Sequence, residues 1–219
     1  MIPADLDYWL NTLPEVTEEK RQKLQQFAAF LREWNQKINL VSRKDVAFLW
    51  EHHLLPSLWV LHAVSFRPGE TIMDIGSGGG FPAIPLKIVR PDLQWILVES
   101  IRKKVHFLES AIAHLELGGI TVVNERVEKL AKDSRFAGQI DTITARAVTD
   151  VATLVSWGKP LLKPGGRWVL WKGERDVPAL IEMQQKLGVK ADIVVLPEPM
   201  ANAHPRWATT RWFIITKGK

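Results

Sequence analysis

Residues 71–82 read TIMDIGSGGGFP, and this stretch decides the fold class. A short apolar strand runs into glycines at positions 76, 78, 79 and 80, and Pro82 then suits the first turn of a helix. Because these glycines lack Cβ atoms, the backbone can turn sharply and a ligand can lie against it. The stretch therefore predicts a strand, a tight turn and a helix, with a ligand held at the turn.

Two ligands use such a turn, namely dinucleotides and S-adenosylmethionine (SAM). A dinucleotide requires glycines at the first, third and sixth positions, and the sixth position counted from Gly76 is Phe81. SAM has no phosphates but carries a positive charge, and Asp74 at the end of the strand is well placed near that charge. The turn favours SAM over a dinucleotide or an empty glycine turn, with candidate contacts at Asp74, Gly76, Gly78, Gly80 and Phe81.

The segments beyond the turn repeat a strand-and-helix alternation. From about residue 67, short runs rich in Ile and Val alternate with longer amphipathic segments, which is typical of a mainly parallel sheet covered by helices on both faces. Prolines at 197, 199 and 205 separate the last two runs, so a final antiparallel pair without a helix is expected. The prediction is the α/β fold of a class I SAM-dependent methyltransferase, Rossmann-like, with a mostly parallel seven-stranded sheet whose last strand is antiparallel. The predicted strands are Thr71–Ile75, Trp95–Val98, Ile120–Val123, Thr142–Ala145, Arg167–Trp171, Ile193–Leu196 and Trp212–Thr216.

The first 66 residues have a different, helical periodicity. Apolar residues from Leu24 to Ile38 recur at spacings of three and four, so a helix over 17–38 is predicted, with Thr17 as its N-cap. A second helix is predicted after Ser42, bent or divided by Pro56, and a short one over residues 3–11. The division is therefore an N-terminal helical extension on the substrate side, 1–66, and a SAM-dependent methyltransferase domain, 67–219.

Acidic residues follow the next two strands at positions that suit an adenosine. Glu99 lies 23 residues after Gly76, close to the spacing of about 20 at which a carboxylate accepts the ribose hydroxyls; a solvated acid beside Arg102 is the alternative. Val127 and Glu128 follow the third strand, where an adenine would meet a backbone amide and an acid. A cluster of charges at a helix start explains the same pair equally simply.

Arg146 ends the fourth predicted strand and is expected at the mouth of the site. Enzymes that methylate amines often place an acceptor there to hold the amine, whereas arginine suits an acceptor edge such as O6 of guanine or a phosphate. A salt bridge to a strand-end acid is the alternative. As a surface-facing residue, it is expected to contribute little to stability.

Composition narrows the class of protein. The 219 residues carry a net charge of +5, which suits a polyanionic partner, and they include no cysteine, which excludes disulfides, thiolate metal sites and cysteine nucleophiles. No run reaches the roughly 18 apolar residues of a membrane helix, and the N-terminus has no secretory pattern. We expect a cytoplasmic monomer without a metal.

An ordered set of segments closely resembles the RsmG (GidB) family of bacterial 16S ribosomal RNA guanine-N7 methyltransferases. The resemblance covers nearly the whole chain and is much more specific than the glycine turn alone. Its segments are Asp74 to Pro82, Trp34-Asn35 through Asn39-Leu40, His53 with its neighbours, Glu99-Ser100 with Lys103-Lys104 and Phe107-Leu108, Arg126-Val127-Glu128, Ala145-Arg146-Ala147, Lys172-Gly173 and Arg211.

The resemblance implies transfer of a methyl group from SAM to N7 of one guanine in small-subunit rRNA. It implies that Gly76, Phe81, Val127, Glu128 and Arg146 contact SAM, and that the catalytic side is lined by Asn39, His53, Arg126 and Arg146. The chain departs from the family pattern at Val41, Pro56 and Ala83, which puts local geometry in doubt but not the reaction. N7 has an in-plane lone pair, so its attack needs no base to remove a proton; His52 and His53 are given positioning roles at most, or one faces the core and the other water.

The substrate is expected to bind through basic residues near the mouth of the site. Phosphate neutralisation combined with base stacking on Trp207 or Trp212 is one possible RNA-binding mode, although these tryptophans suit the core of the terminal hairpin as well. The rival functions are a methyltransferase of a small molecule or a protein, an RNA-binding assembly factor without catalysis, and a dehydrogenase. The candidate RNA-binding residues are Arg43, Lys103, Lys104, Lys172, Arg206 and Arg211.

Overall fold

The N-terminal region is helical, as predicted. The computed structural model describes residues 4–187 and 189–217. Helix α1 spans Ala4–Leu10, so the start of the helix predicted over 3–11 lies outside the described residues, and α2 spans Glu18–Asn35. Thr17 caps α2 by accepting the Lys20 N–H. The helix ends three residues before Ile38 because the Asn35 side chain accepts the N–H groups of Leu40 and Val41 and turns the chain.

The predicted helix after Ser42 is replaced by shorter pieces. Residues 43–48 form turns, a π-helical turn spans Trp50–Leu54, α3 spans Leu55–Leu58 and a 3₁₀ turn spans Trp59–His62. Pro56 divides the segment, as predicted, because proline has no N–H to give to the carbonyl four or five residues before it. Those two carbonyls belong to His52 and Glu51.

The sheet has the predicted seven strands in the order β3-β2-β1-β4-β5-β7-β6. Strands β1 to β5 are parallel, and β7 is antiparallel to both β5 and β6, which confirms the predicted topology. The largest difference in length is at β5, which begins five residues earlier than predicted because it forms a bulged pairing with β4. The strands are β1 Thr71–Ile75, β2 Gln94–Val98, β3 Ile120–Val123, β4 Ile140–Arg146, β5 Leu162–Gly173, β6 Lys190–Val195 and β7 Thr210–Thr216.

Two apolar clusters cover the two faces of this sheet. Ile72 and Trp95 belong to the cluster shared with α2, α3, α4 and α5, whereas Met73 and Ile143 belong to the one shared with α6, α7 and α8. Because the N-terminal helices share a cluster with one face of the sheet, they are packed onto it; the division near residue 66 stays a prediction. The helices are α4 Ala83–Val89, α5 Arg102–His114, α6 Val127–Leu130, α7 Val151–Gly158 and α8 Val177–Leu187.

The expectation of a helix-free link between β6 and β7 is wrong. Two short helices lie there, α9 at Glu198–Ala203 and α10 at Pro205–Ala208. Pro205 occupies a first helical position, where its missing N–H has no partner to lose. The prolines that suggested a break therefore start helices instead, and this link lies against the N-terminal region.

Candidate functional site

A cavity of about 1420 Å³ opens at the carboxyl end of the parallel strands. Its lining includes the glycine turn after β1, residues 146–150 at the end of β4 and residues 171–176 at the end of β5. The N-terminal region contributes Leu40, Val41, Asp45, His52, His53 and Pro56, and the link before β7 contributes Arg206. The strand order reverses between β1 and β4, which is where ligands bind in open α/β sheets.

The glycine turn has a conformation that other residues avoid. Gly76 has a φ of +70°, and a Cβ added there would lie 2.7 Å from Cγ2 of Val148. Gly80 has a φ of +83°, and its Cβ would meet Ile84 at 2.6 Å. The Val98 carbonyl holds the turn by accepting the N–H groups of Gly76 and Ser77. This turn over residues 76–80, the cradle, therefore requires glycine at both positions, because a side chain would meet Val148 or Ile84.

Glu99 is tied to this cradle rather than solvated beside Arg102. Its carboxylate is buried, with one oxygen accepting the Gly78 N–H at 3.0 Å and the other the Ile101 N–H at 2.8 Å. The cavity lining does not include Glu99, Val127 or Glu128. Their assignment to the adenosine stays a prediction.

Asp74 lies fully buried at the end of β1, where Thr144 Oγ1 donates to one carboxylate oxygen at 2.7 Å. The other oxygen, Oδ2, has no hydrogen-bond partner among the described residues. Burial raises the pKa of Asp74 to about 7. An unpartnered buried carboxylate oxygen next to the cradle fits a cationic ligand such as SAM, because a nearby positive charge stabilises the ionised form.

Arg146 is half-buried rather than surface-facing, and among the described residues no salt bridge joins it to a strand-end acid. Its guanidinium donates to the His52 carbonyl at 2.6 Å and to Nδ1 of His53 at 3.0 Å, and it lies 5.8 Å from the Phe81 ring centre. The His52 carbonyl is one of the two to which Pro56 cannot donate. Arg146 therefore joins the end of β4 to the N-terminal region. We expect it to contribute more to stability than a surface arginine would, and its contribution stays a prediction.

The hydrogen bond from Arg146 also fixes the tautomer of the His53 ring. Because Nδ1 accepts from Arg146, the ring proton is assigned to Nε2. Burial, together with the charge of Arg146, lowers the pKa of His53 to about 3, so the ring is neutral at physiological pH. The side chains of His52 and His53 are only 14% and 12% exposed, so the expectation that one of them faces water is wrong.

The four predicted catalytic residues are only partly brought together. Arg146 and His53 touch each other and line the cavity. Asn39 and Arg126 are exposed and do not belong to the lining, so a direct catalytic role for them stays a prediction.

Sequence reasoning missed Asp45, which links two distant segments at the cavity. Its Oδ1 accepts from Nδ1 of His52 at 2.7 Å and from Arg206 at 2.9 Å, across 161 residues of sequence in the second case. Burial opposes ionisation, but hydrogen bonds from His52, Ser42 and Arg206 hold the pKa of Asp45 below its usual value. No local motif marks such a contact.

The six candidate RNA-binding residues fall into two groups. Arg43 and Lys103 are exposed and Lys104 is half-buried at the cavity; no salt bridge ties these three, the outer basic group, to an acid in the described part of the chain. Lys172, Arg206 and Arg211, the inner basic group, are already bound within the protein, to the Thr149 carbonyl, to Asp45 and to the Ala208 carbonyl respectively. Within the described residues the outer group makes no such internal contact, whereas an inner residue can reach a phosphate only through the N–H groups that its internal contacts leave free.

The two candidate stacking tryptophans are both buried. Trp207 and Trp212 are each 1% exposed, and Trp207 packs edge-on against Trp59. The stacking role proposed for them is therefore wrong, because neither ring offers a free face to a base.

The described part of the chain shows neither a membrane-spanning helix nor a metal-binding cluster. None of the helices described is both long and apolar enough to cross a membrane. Within residues 4–187 and 189–217, no group of three or more His, Asp or Glu side chains is placed to hold a metal ion.

Comparisons with known proteins give a consistent result. The model of a family described as rRNA small subunit methyltransferase G (GidB) matches residues 20–198. A protein of Roseiflexus castenholzii with that name is 43% identical over 156 residues, which is 70% of this chain and 66% of the relative's length. A Coxiella burnetii protein of the same name is 34% identical over 81% of this chain and 88% of its own. A solved SAM-dependent methyltransferase of Aquifex aeolicus shares the fold, with a TM-score of 0.59 at 13% identity, covering 77% of this chain and 92% of its own.

Proposed function

The chain belongs to the rRNA small subunit methyltransferase G family, and we propose on that basis that it transfers the methyl group of SAM to N7 of a guanine in small-subunit (16S) rRNA. The observation that carries the proposal is the meeting of the glycine cradle with the Arg146–His53 pair in one cavity. The cradle suits the cofactor, and the pair suits a substrate that needs to be held rather than deprotonated.

The residues around the cradle fit SAM. When bound, SAM supplies a methyl group that is electrophilic because it is attached to a positively charged sulfur. Gly76, Gly78, Gly80 and Phe81 would bound it, with Glu99 at the ribose and Val127 and Glu128 at the adenine. Asp74 would stabilise the positive charge from beneath the turn.

The chain's own contribution to the reaction is alignment. N7 of guanine has a lone pair in the ring plane, so the attack does not release a proton and the site does not need a general base. This agrees with a His53 whose Nδ1 is occupied by Arg146 and whose ring stays neutral. Arg146 uses only some of its five N–H groups on His52 and His53, and a remaining donor suits the O6 acceptor beside N7.

The proposal also covers the charge of the substrate, the oligomeric state of the enzyme and the place where it acts. The polyanionic substrate suits a chain with a net charge of +5. We propose that the enzyme acts as a monomer in the cytoplasm, where small-subunit rRNA is assembled.

The decisive experiment is to incubate the protein and labelled SAM separately with small-subunit particles, protein-free rRNA, ribosomal proteins and a set of small molecules. We expect the label on N7 of one guanine, located by mass spectrometry of nuclease digests. Label on an exocyclic amine, a protein or a small molecule would show that N7 of guanine is not the methyl acceptor. Binding of RNA without any transfer would indicate an assembly factor.

The outer and inner basic groups lead to a prediction about how the affinity for RNA depends on salt concentration. RNA affinity should fall steeply as salt rises, and each phosphate contact removed should lower the slope by about one unit. We expect this reduction in Lys103→Ala, which belongs to the outer basic group. Arg211→Ala, from the inner group, is the matched control and should keep the wild-type slope. Filter binding at several salt concentrations measures both; an affinity that hardly changes with salt contradicts the proposal.

The pKa of Asp74 gives a prediction about SAM binding and pH. A positive ligand favours the ionised carboxylate, so the affinity for SAM should rise as the pH rises through 7. If only the ionised form binds well, the affinity is about tenfold higher at pH 8 than at pH 6. Calorimetry across this range measures it. Asp74→Asn is the control, because it retains every other titrating group, including those of SAM; an unchanged profile in this variant rules out Asp74 as the cause.

A further inference from the structure

A second, smaller cavity lies beside the first and has no role in the function described so far. Its volume is about 240 Å³, and Trp9, Phe48, Glu51, His204 and Trp207 are among the residues that line it. Glu51 faces this cavity, whereas the next two residues, His52 and His53, line the larger one. The two cavities are therefore neighbours, separated by the same π-helical turn.

A row of aromatic rings runs along the smaller cavity. The ring of Phe48 stacks on His52, with centres 5.2 Å apart and planes 25° apart, and His52 meets His204 edge-on at 5.5 Å. His204 in turn packs against Trp207 at 5.2 Å, and Trp9 meets Trp207 edge-on. Phe48 is 49% exposed at the open end of this row. Its exposed aromatic surface contributes nothing to the apolar core.

The cavity also offers one acceptor and one donor. The Glu51 side chain is an acceptor. Nδ1 of His204 accepts the backbone N–H of Arg206, so the ring proton of a neutral His204 is assigned to Nε2, which is a donor. Trp207 adds no donor, because its Nε1–H is used by the Glu51 carbonyl. An acceptor beside a donor matches the Watson–Crick edge of an unpaired base, because every base has a donor next to an acceptor on that edge.

We propose that the smaller cavity binds one unpaired base of the RNA next to the nucleotide that is methylated, with the base stacked on Phe48. The inference rests on the proposed function, because the RNA must enter the larger cavity for its neighbour to reach the smaller one. A volume of about 240 Å³ is roughly eight times that of a water molecule in the liquid, which suits a single base. Unpaired bases on aromatic side chains are the usual basis of single-stranded RNA recognition.

A cationic side chain is the other occupant that an aromatic cavity with an acid, Glu51, could take, and the positive charge of Arg206 beside the cavity opposes it. Arg206 lies between the two cavities, since it lines the larger one and follows His204 of the smaller one by two residues. Its guanidinium is 49% exposed at the side-chain level. It would repel a cation and attract the phosphate that joins two nucleotides.

The test compares substitutions at Phe48 by fluorescence anisotropy with single-stranded RNA of about ten nucleotides, a length within the usual site sizes. Phe48→Ala and Phe48→Leu should weaken the binding of oligoadenylate and oligocytidylate about tenfold. Phe48→Trp should bind them with the wild-type affinity, because stacking needs an aromatic ring. Ile181→Ala removes a similarly exposed apolar side chain from α8 and should bind as the wild type does. Affinity for SAM should be unchanged in all four variants.

Methyl transfer to small-subunit particles separates this inference from the function on which it rests. Phe48→Ala should raise the KM for the particle about tenfold with little change in kcat, and the effect should disappear on an RNA that lacks the stacked base. An equal KM in the two proteins overturns the inference and leaves the function intact. A raised KM with unchanged binding of single-stranded RNA would assign the cavity to a ribosomal protein side chain and also overturn it. If the wild type transfers no methyl to rRNA, the proposed function fails, whatever Phe48 does.

Discussion

Gly76→Val is expected to abolish measurable SAM binding while the sheet stays folded. The φ of +70° at this position strains any residue with a Cβ, and a branched residue most of all. The added atoms would also meet Val148 and displace the turn at which SAM is proposed to bind. The steric clash and the displacement of the turn are therefore both expected to weaken the binding of SAM.

Calorimetry with SAM, its demethylated product and NAD measures this effect, with circular dichroism as the check on folding. Gly69→Ala is the matched control: its φ is +74°, so it bears a similar left-handed strain of roughly 1–2 kcal/mol, but nothing lies within 4 Å of its Cβ. It should bind SAM as the wild type does. Wild-type affinity in Gly76→Val would contradict the placement of SAM, and tighter binding of NAD than of SAM would contradict the cofactor itself.

Arg146→Ala is expected to reduce methyl transfer by about 100-fold or more, which is the usual effect of removing one preorganised donor from an active site. It should also lower the free energy of unfolding by roughly 1–3 kcal/mol, because the His52 carbonyl loses its donor. Arg146→Lys should rescue only part of the activity, since an ammonium group lacks the planar fork that reaches His52 and His53 together.

Single-turnover rates and thermal unfolding together separate the two roles of Arg146. Arg90→Ala is the structural control: Arg90 also donates to a backbone carbonyl, that of Phe66, but it does not line the cavity. It should lose stability and keep its transfer rate. The maximum wild-type rate should not depend on pH between about 6 and 9, because His53 is neutral throughout and N7 releases no proton. Full activity in Arg146→Ala would overturn the assignment.

The features that sequence reasoning predicted correctly are those encoded by neighbouring residues. Thr17 caps α2 through a residue three positions on, and the strand and turn over 71–80 depend on local periodicity and glycine. These signals are complete within about a dozen residues, so no tertiary contact is needed to interpret them.

The features that were missed depend on partners far along the chain. Arg146 meets backbone carbonyls 93 and 94 positions away, and a carbonyl has no sequence signature. Asp45 pairs with Arg206, and the burial of Trp207 depends on Trp59 and on the Glu51 carbonyl. Part of the cavity's lining, including the glycine turn and Arg146, could thus be predicted from motifs, whereas its connections required the fold.

Pro56 has a consequence for the order in which the chain folds during synthesis. Its missing N–H leaves the carbonyls of Glu51 and His52 without that donor, and side chains from Trp207 and Arg146 take its place. The N-terminal region leaves the ribosome first, yet it receives its last hydrogen bond only when residue 207 has emerged. Until then the π-helical turn can open to solvent, because exposed carbonyls bind water instead. The N-terminal region is therefore translated first, and it receives the hydrogen bond from Trp207 last, on a chain whose strands β1 to β5 have already been made.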